Sequence, residues 1–470
     1  MELDEETLKK IESEEFYHGF LPREDISSLL KEVGDFILRL TQPKPGASRE
    51  LVISVRASME PSSISIRHVI LTRKARNGGF DWIAMEDEKH SSLKELINDY
   101  VTSGRPINPE YKSSILIRGV KRQTWEFSHE DIEMKDILGE GQYGEVRTGI
   151  LNKKGKKMEV AIKTAKQIKD EKQMEQKKDK IKEMMHEARI MRDFDHINIV
   201  RMYGVAVCRE PIMIVLEKVN GGSLFDLLDR KKGQICGEEK IENMSLGAAR
   251  GLEYLHSQRC IHRDIASRNV LYTDRKVAKI SDFGMSRHGT VYEMKKGSHK
   301  RIPLKWTAPE SMVAFQYTPK TDVFSFSILL WEIFSDAAEP YAGLTCLEVK
   351  KMVSCGQRLK RPQCCPNEMF KLMCRCWAQN PVKRYTMSEV VKFIEGLLDG
   401  ADETQHRTAC ETQLKDEIDD EESFSTSRSS KRLGNRRHKR KGGNKMKRRR
   451  RPDANKGMLL NGFFSTYFIW

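Results

Sequence analysis

The chain has 470 residues, 38% of them hydrophobic and 32% charged, with a formal net charge of +15. This length exceeds what one hydrophobic core usually holds and predicts two folded domains plus a tail. No run reaches the roughly 18 apolar residues of a spanning helix, and the acidic opening MELDEETLKKIESEEFYHG lacks the apolar segment of a secretory signal.

Residues 16–122 read as a small α/β module. A helix-like REDISSLLKEV precedes four strand-like stretches, GDFILRL, ELVISVRA, SISIRHVILT and FDWIAME, and then an amphipathic HSSLKELINDYV. Residues 123–130 read as a short linker. From 131 to about 219, short strands rich in Gly, Val and Ile are interrupted by a charged helical run, KQMEQKKDKIKEMMHEARIM, and from 222 to 399 the pattern is mainly helical. Apolar periodicity stops after Gly400, so 400–470 read as a disordered basic tail. The ten cysteines form no even framework and no C-x-x-C pair, which favours reduced thiols in a cytoplasmic protein.

Thirteen Lys and Arg lie between Lys431 and Arg451 without an acidic residue, so much of the positive charge belongs to the tail. Such a run suits nucleic acid, anionic lipid or an import receptor. It lacks the interleaved aromatics that base stacking needs, which makes nucleic acid the weaker reading. The aromatic end MLLNGFFSTYFIW then points to a peripheral contact with an anionic membrane surface, at the inner face of the plasma membrane.

The segment GEGQYGEV places Gly139, Gly141 and Gly144 at G-x-G-x-x-G spacing. A dinucleotide fold needs a helix after the third glycine, whereas Val146 leads into a turn and the strand EVAIK, so a strand-loop-strand lid over nucleotide phosphates is the better reading. Lys163 ends VAIK, where an ammonium in an apolar strand needs an anion, and Glu187 on the following helical run is a candidate carboxylate. The octapeptide HRDIASRN holds Asp264, placed to accept the proton of an attacking hydroxyl, while Asn269 and Asp282 offer hard oxygen ligands for Mg²⁺ or Mn²⁺. Any one Asp is most often a cap or turn residue, but five ordered motifs ending in APE at Ala308–Glu310 are a far more specific signal.

Residues 131–399 resemble a complete protein kinase domain. The resemblance implies that Lys163 holds the α- and β-phosphates of ATP and pairs with Glu187, and that Asp264 is the catalytic base. Asn269 and Asp282 would hold the metal, and Val146, Ala161, Leu216, Glu217 and Val219 would line the nucleotide pocket. Ala266 stands where serine/threonine kinases usually place a Lys, and Arg268 follows it, which matches the tyrosine-kinase form of the loop. Pro303 and Trp306 match the tyrosine-kinase substrate platform. Tyr292 is the expected autophosphorylation site, ordered against Arg263 and Arg287, with Lys295, Lys296, His299, Lys300 and Arg301 nearby. Phe324 and Ser327 depart from the usual Trp and Gly, and Arg384 is expected to pair with Glu310.

Arg39, stranded in the apolar GDFILRL, suits a bidentate phosphate contact. With FYHGFLPRED and His68 in IRHVIL around it, residues 16–122 resemble an SH2 domain, which implies that Arg39, helped by Arg23 and framed by His68, binds phosphotyrosine proteins. Leu40, Val69 and Ile70 depart from that family's pattern. The fold class expected is α+β: an SH2-type domain with a central antiparallel sheet flanked by two helices, then a bilobal kinase with a β-rich first lobe and a helical second. An SH2 module joined directly to a tyrosine kinase is most similar to the Fes/Fer group of non-receptor kinases, as a short form lacking that group's N-terminal membrane-bending and coiled-coil region. The resemblance implies ATP as co-substrate and tyrosine-containing proteins as substrates.

Overall fold

The computed structural model describes residues 4–41, 49–60, 65–76, 79–85, 88–140, 144–165, 174–294 and 302–400, the side chains of 174–178 aside. Gly141, Lys295, Lys296, His299, Lys300, Arg301 and the tail beyond Gly400, with its basic run and aromatic end, lie outside the described residues.

The alternating runs of the N-terminal module form β1 (Asp35–Thr41), β2 (Glu50–Arg56), β3 (Ile66–Arg76) and β4 (Gly79–Ile83), antiparallel neighbours in a sheet ordered β4-β3-β2-β1-β5. The central sheet is antiparallel as expected, with one short parallel addition at its edge. The edge strand β5 (Arg118–Gly119) runs parallel to β1, because the chain crosses back from the far end of the module. Arg118 fixes this register by clasping Asp35 at 2.8 and 2.9 Å. Besides α2 (Arg23–Leu29) and α3 (Leu93–Ser103), a further helix, α1 (Glu5–Glu12), is present. Asp4 caps α1 by accepting the Thr7 N–H at 2.8 Å, and Leu8 and Ile11 pack against the module's core. That core sets Leu93, Leu96, Ile97 and Tyr100 of α3 against Leu38, Ile53, Val55 and Leu71. Arg39 and His68 therefore lie on the opposite sheet face from Leu38 and Leu71.

The β-rich lobe is an antiparallel sheet ordered β6-β7-β8-β10-β9, formed by Ile132–Glu140, Glu145–Lys153, Lys156–Thr164, Met213–Glu217 and Met202–Ala206. Lys154 and Gly155, both at positive φ, turn β7 into β8. The charged run becomes α4 (Met174–Met191).

The linker is tied down along its length. Val205 donates to Trp125 O at 2.7 Å and Phe127 donates to Val205 O at 2.8 Å, so this stretch runs beside β9. Gly204 permits the approach, since a Cβ there would lie 2.1 Å from Trp125 O. On the module's side, the buried Tyr17 hydroxyl donates to Cys208 O at 2.9 Å and Phe20 donates to Val207 O at 2.9 Å.

The second lobe centres on the helix Pro319–Phe334, packed against Asn367–Cys376. Arg384, 2% exposed, pairs with Glu310 at 2.6 and 2.8 Å. Phe324 and Ser327 are fully buried, the Phe324 ring facing the Arg384 and Arg358 guanidinium groups at 5.2 and 5.3 Å. Among the described residues no cysteine is in a disulfide, and no helix is long and apolar enough to cross a membrane.

Candidate active site

Lys163 reaches the cleft from the end of β8, opposite Val146 on β7 and Ile214 on β10. Its ammonium donates to both oxygens of Glu187 on α4 at 2.8 Å each, and to Asp282 at 3.3 Å. Burial alone would push this ammonium down, but Asp282 and Glu187 more than reverse that and hold it above the ordinary lysine range. Burial raises the Glu187 carboxyl. It opposes ionisation at Asp282 too, but there the Lys163 charge prevails, aided by His262, and the pKa falls. One cation and two carboxylates thus meet where β8, α4 and the segment after β13 (Ala278–Ile280) converge.

The loop HRDIASRN lies between β11 (Cys260–Ile261) and β12 (Val270–Tyr272). Asp322, fully buried, accepts the backbone N–H groups of His262 and Arg263 at 2.7 and 2.8 Å. Asn269 donates through Nδ2 to both Asp264 O and Asp264 Oδ2 at 2.8 Å, and its own carbonyl accepts Ser281 N at 2.9 Å. Arg268 bonds the other carboxylate oxygen of Asp264 and lies over the Trp306 ring at 4.4 Å. Glu332, 2% exposed, accepts from Ser267 N at 2.9 Å, Ser267 Oγ at 2.7 Å and Trp306 Nε1 at 3.0 Å. Burial raises its pKa, against the pull of these bonds. Asp322, Ser267 and Glu332 were not singled out from sequence. The signal was two carboxylates within the otherwise apolar TDVFSFSILLWEIF, where an uncompensated charge is costly.

Between the lobes is a cleft of about 130 Å³, lined by Leu138, Val146, Ala161, Leu216, Glu217, Val219 and Leu271, with Glu187 and Asp282 at one end. All five residues expected to line a nucleotide pocket are on its wall. Gly139 pairs with Val146, and a Cβ at Gly144 would lie 2.1 Å from Thr164 O, so the lid needs that glycine to pass β8. Apolar walls leading to a cation and two carboxylates suit a flat heterocycle joined to phosphates. Asp282 and the amide oxygen of Asn269 are hard donors, so the residues present fit a divalent cation shared with phosphate oxygens.

Tyr292 begins β15 (Tyr292–Glu293), which pairs with β16 (Gln316–Tyr317). Its half-buried ring has the Arg263 guanidinium at 4.5 Å and that of Arg287 at 5.2 Å. Two cations therefore already stand beside the expected modification site.

In the N-terminal module Arg39 is 2% exposed, donates through Nε to Ser54 Oγ at 3.1 Å, and leaves one terminal nitrogen buried without a partner. Ser54 Oγ is in turn 2.9 Å from His68 Nδ1. Burial, with Arg23 nearby, pushes the Arg39 guanidinium down to about 10; burial, with Arg39 and Arg23, pushes His68 down to about 4. Arg23 is exposed on the first turn of α2. Among the described residues no carboxylate forms an ion pair with Arg39, although the Glu24 charge acts on it from nearby.

A model of the protein tyrosine and serine/threonine kinase family matches residues 132–394, more than half of the chain, and an SH2 domain model matches 16–100. Fer-related kinase 1 of Caenorhabditis elegans is 38% identical over 81% of this chain and 93% of its own length. The chain belongs to the Fer/Fps tyrosine kinases. Human tyrosine-protein kinase Fer is 38% identical over 82% of this chain and 44% of its own length. The Fps transforming protein of Fujinami sarcoma virus is 38% identical over 82% and 41%. The chain thus spans less than half the length of these two Fer/Fps relatives. Within this Fer/Fps chain Leu40 is buried and Ile70 exposed, so the departures noted in sequence fall on either side of the sheet's surface.

Proposed function

We propose that this protein transfers the γ-phosphoryl group of ATP to tyrosine side chains of proteins, in the cytoplasm, and that its SH2 module binds phosphotyrosine segments. The observation carrying this reading is the setting of Asp264, with Asn269 on one carboxylate oxygen and Arg268 on the other, and Arg268 stacked on Trp306. Asp264 takes the phenolic proton, the phenol oxygen bonds to phosphorus, and the bond from the γ-phosphorus to the β–γ bridging oxygen breaks, releasing ADP. The Arg268–Trp306 platform supports an aromatic ring at the distance a phenol requires and leaves a serine hydroxyl short of Asp264. Lys163, held by Glu187, binds the α- and β-phosphates. Asp282 and Asn269 would hold Mg²⁺ or Mn²⁺, which would neutralise phosphate charge.

Arg39 carries the second half of the reading. A buried cation with an unpaired nitrogen is costly unless a dianion completes it. Arg23 and His68 complete the pocket, and tethering by the SH2 module raises local substrate concentration. The test is ATP-dependent phosphorylation of a poly(Glu,Tyr) polymer by the full chain, beside Asp264→Asn, Lys163→Met and a serine/threonine substrate. Tyrosine labelling that vanishes in both variants supports the reading; labelling of serine, or none, rejects it.

A further inference from the structure

We propose that the hydroxyl of Tyr317 donates a hydrogen bond to the phosphate of phosphorylated Tyr292, so that a buried phenol reads the modified loop beside the arginines. The proposal rests on the reading of Tyr292 as the autophosphorylation site. The two tyrosines are register partners across β15 and β16, which places their side chains opposite each other on one face of the ribbon. Their ring centroids are 6.4 Å apart, and the Arg263 guanidinium lies 4.5 Å from the Tyr292 ring and 4.2 Å from the Tyr317 ring. Two side chains of equal length thus share one cation.

What marks Tyr317 is an unused polar group in an apolar place. The residue is 3% exposed and belongs to a cluster with Ile261 and Met294, against which Ile302 and Phe315 pack. Among the described residues its hydroxyl has no hydrogen-bond partner, although the Arg263 charge acts on it from nearby. A phenylalanine would fill nearly the same volume without burying an unsatisfied hydroxyl, so the oxygen calls for a reason. Arg263 has spare capacity of its own: Nη1 donates to Met285 O at 2.9 Å and Nη2 to Met294 Sδ at 3.8 Å, while Nε is buried without a partner. Arg287 is already engaged, its Nη1 donating to Ser286 O at 2.6 Å and lying 2.8 Å from His186 Nε2. Two buried donors, on Arg263 and Tyr317, are therefore left over beside the Tyr292 ring.

The modification is the reaction proposed above, with Tyr292 of one copy as acceptor in the active site of another. The phenol oxygen bonds to the γ-phosphorus of ATP, its proton passes to Asp264, and the bond to the β–γ bridging oxygen breaks, releasing ADP. The new dianion carries oxygens enough for Arg263 Nε, Arg287 and the Tyr317 O–H together, and each such bond is charge-assisted. Burial, against the pull of Arg263, raises the Tyr317 pKa, so the phenol keeps the proton it donates. Tyr317 also leads into the helix Pro319–Phe334, where Asp322 holds the His262 and Arg263 amides. The bond therefore ties the phosphate to the element that shapes the catalytic loop.

The test compares the full chain with Tyr317→Phe, each phosphorylated in trans by the tagged, unaltered chain or treated with a tyrosine phosphatase, with mass spectrometry to match the phosphate on Tyr292. In the unaltered chain phosphorylation is expected to raise the melting temperature by roughly 2–4 °C, a rise absent from Tyr292→Phe. Tyr317→Phe should remove at least half of it, and phosphatase should release the Tyr292 phosphate roughly three- to tenfold faster from that variant. Before phosphorylation Tyr317→Phe should melt no lower than the unaltered chain, because the hydroxyl it removes has no partner. A lower melting temperature in that state, or a failure to fold, overturns the proposal by showing that the hydroxyl is already structural. An equal rise, or an equal release rate, overturns the Tyr317 site and leaves the Tyr292 reading standing. Phosphate found at other positions and none on Tyr292 overturns that reading and this proposal with it.

Discussion

The carboxylate of Asp25 in α2 and the guanidinium of Arg189 in α4 face each other through two hydrogen bonds of 2.7 and 2.8 Å. Asp25 is 3% exposed, and Arg189 lies two positions beyond Glu187, so the SH2 module grips the helix that supplies the partner of Lys163. Asp25→Asn strands the arginine and should cost about 3 kcal/mol at this junction. The expected result is a lower melting temperature and a several-fold lower tyrosine phosphorylation rate. The double variant Asp25→Arg with Arg189→Asp should recover part of both; a single variant with unaltered kinetics would show that the grip does not reach the active site.

Arg268 joins Asp264, the proposed proton acceptor, to the Trp306 ring. Arg268→Ala is expected to lower kcat/KM for a tyrosine peptide by about 100-fold, with KM for ATP nearly unchanged, because the loss concerns the acceptor's position. Arg268→Lys should not rescue it, since an ammonium cannot stack flat on indole. Steady-state kinetics with each substrate varied in turn checks both statements.

Arg39 keeps a buried nitrogen unpaired in the free protein. Arg39→Met should therefore stabilise the fold, by about 1 kcal/mol, while phosphopeptide affinity falls at least 100-fold. Urea denaturation and anisotropy on the same sample give both numbers. A variant that loses binding and stability together would mean the arginine is structural.

His68 carries the pH dependence. Its pKa is pushed down to about 4, burial being the main cause, so between its ordinary value of 6.5 and about 4 the unfolded chain binds a proton that the native module refuses. Stability should then decline as pH falls through that window. Denaturant midpoints at pH 7 and pH 5 should differ less for His68→Gln than for the unaltered protein; an equal drop in both would remove His68 as the cause.

Tyr292 already lies beside Arg263 and Arg287. Preincubation with ATP should raise the rate several-fold and place phosphate on Tyr292, as two guanidinium groups close on the new dianion. Tyr292→Phe should retain the initial rate and lose the rise. Mass spectrometry of the preincubated protein, alongside progress curves, is the check.

What could be read in the sequence follows physical range. Lys163, Glu187, Asp264, Asn269 and Asp282 could be singled out because phosphate and metal chemistry favours particular residue types in order; the structure bonds Lys163 to Glu187 and Asp282, which border the cleft, and Asn269 to Asp264. Arg39 was legible because a charge in an apolar strand is anomalous. Glu332 and Asp322 were missed although the same anomaly marked them, since their partners, Ser267, Trp306 and the His262 and Arg263 amides, lie 26 to 65 residues away. Asp25 and Arg189 were out of reach altogether: each is an ordinary charged residue of an amphipathic helix, and only the packing of one domain on another makes them a pair. The parallel pairing of β5 was hidden because two residues carry no periodicity.

The backbone bonds from Val205 to Trp125 and from Phe127 to Val205 make the joint between the domains an added rung of the kinase sheet. A free tether would let two bodies melt separately and offer a protease its first cut. Here the rung runs along β9, and the next two residues, Val207 and Cys208, accept hydrogen bonds from Phe20 and Tyr17 of the SH2 module. Heat should therefore meet one cooperative unit spanning the module and the small lobe, and hydrogen exchange at Phe127 should be as slow as at the strand it borders.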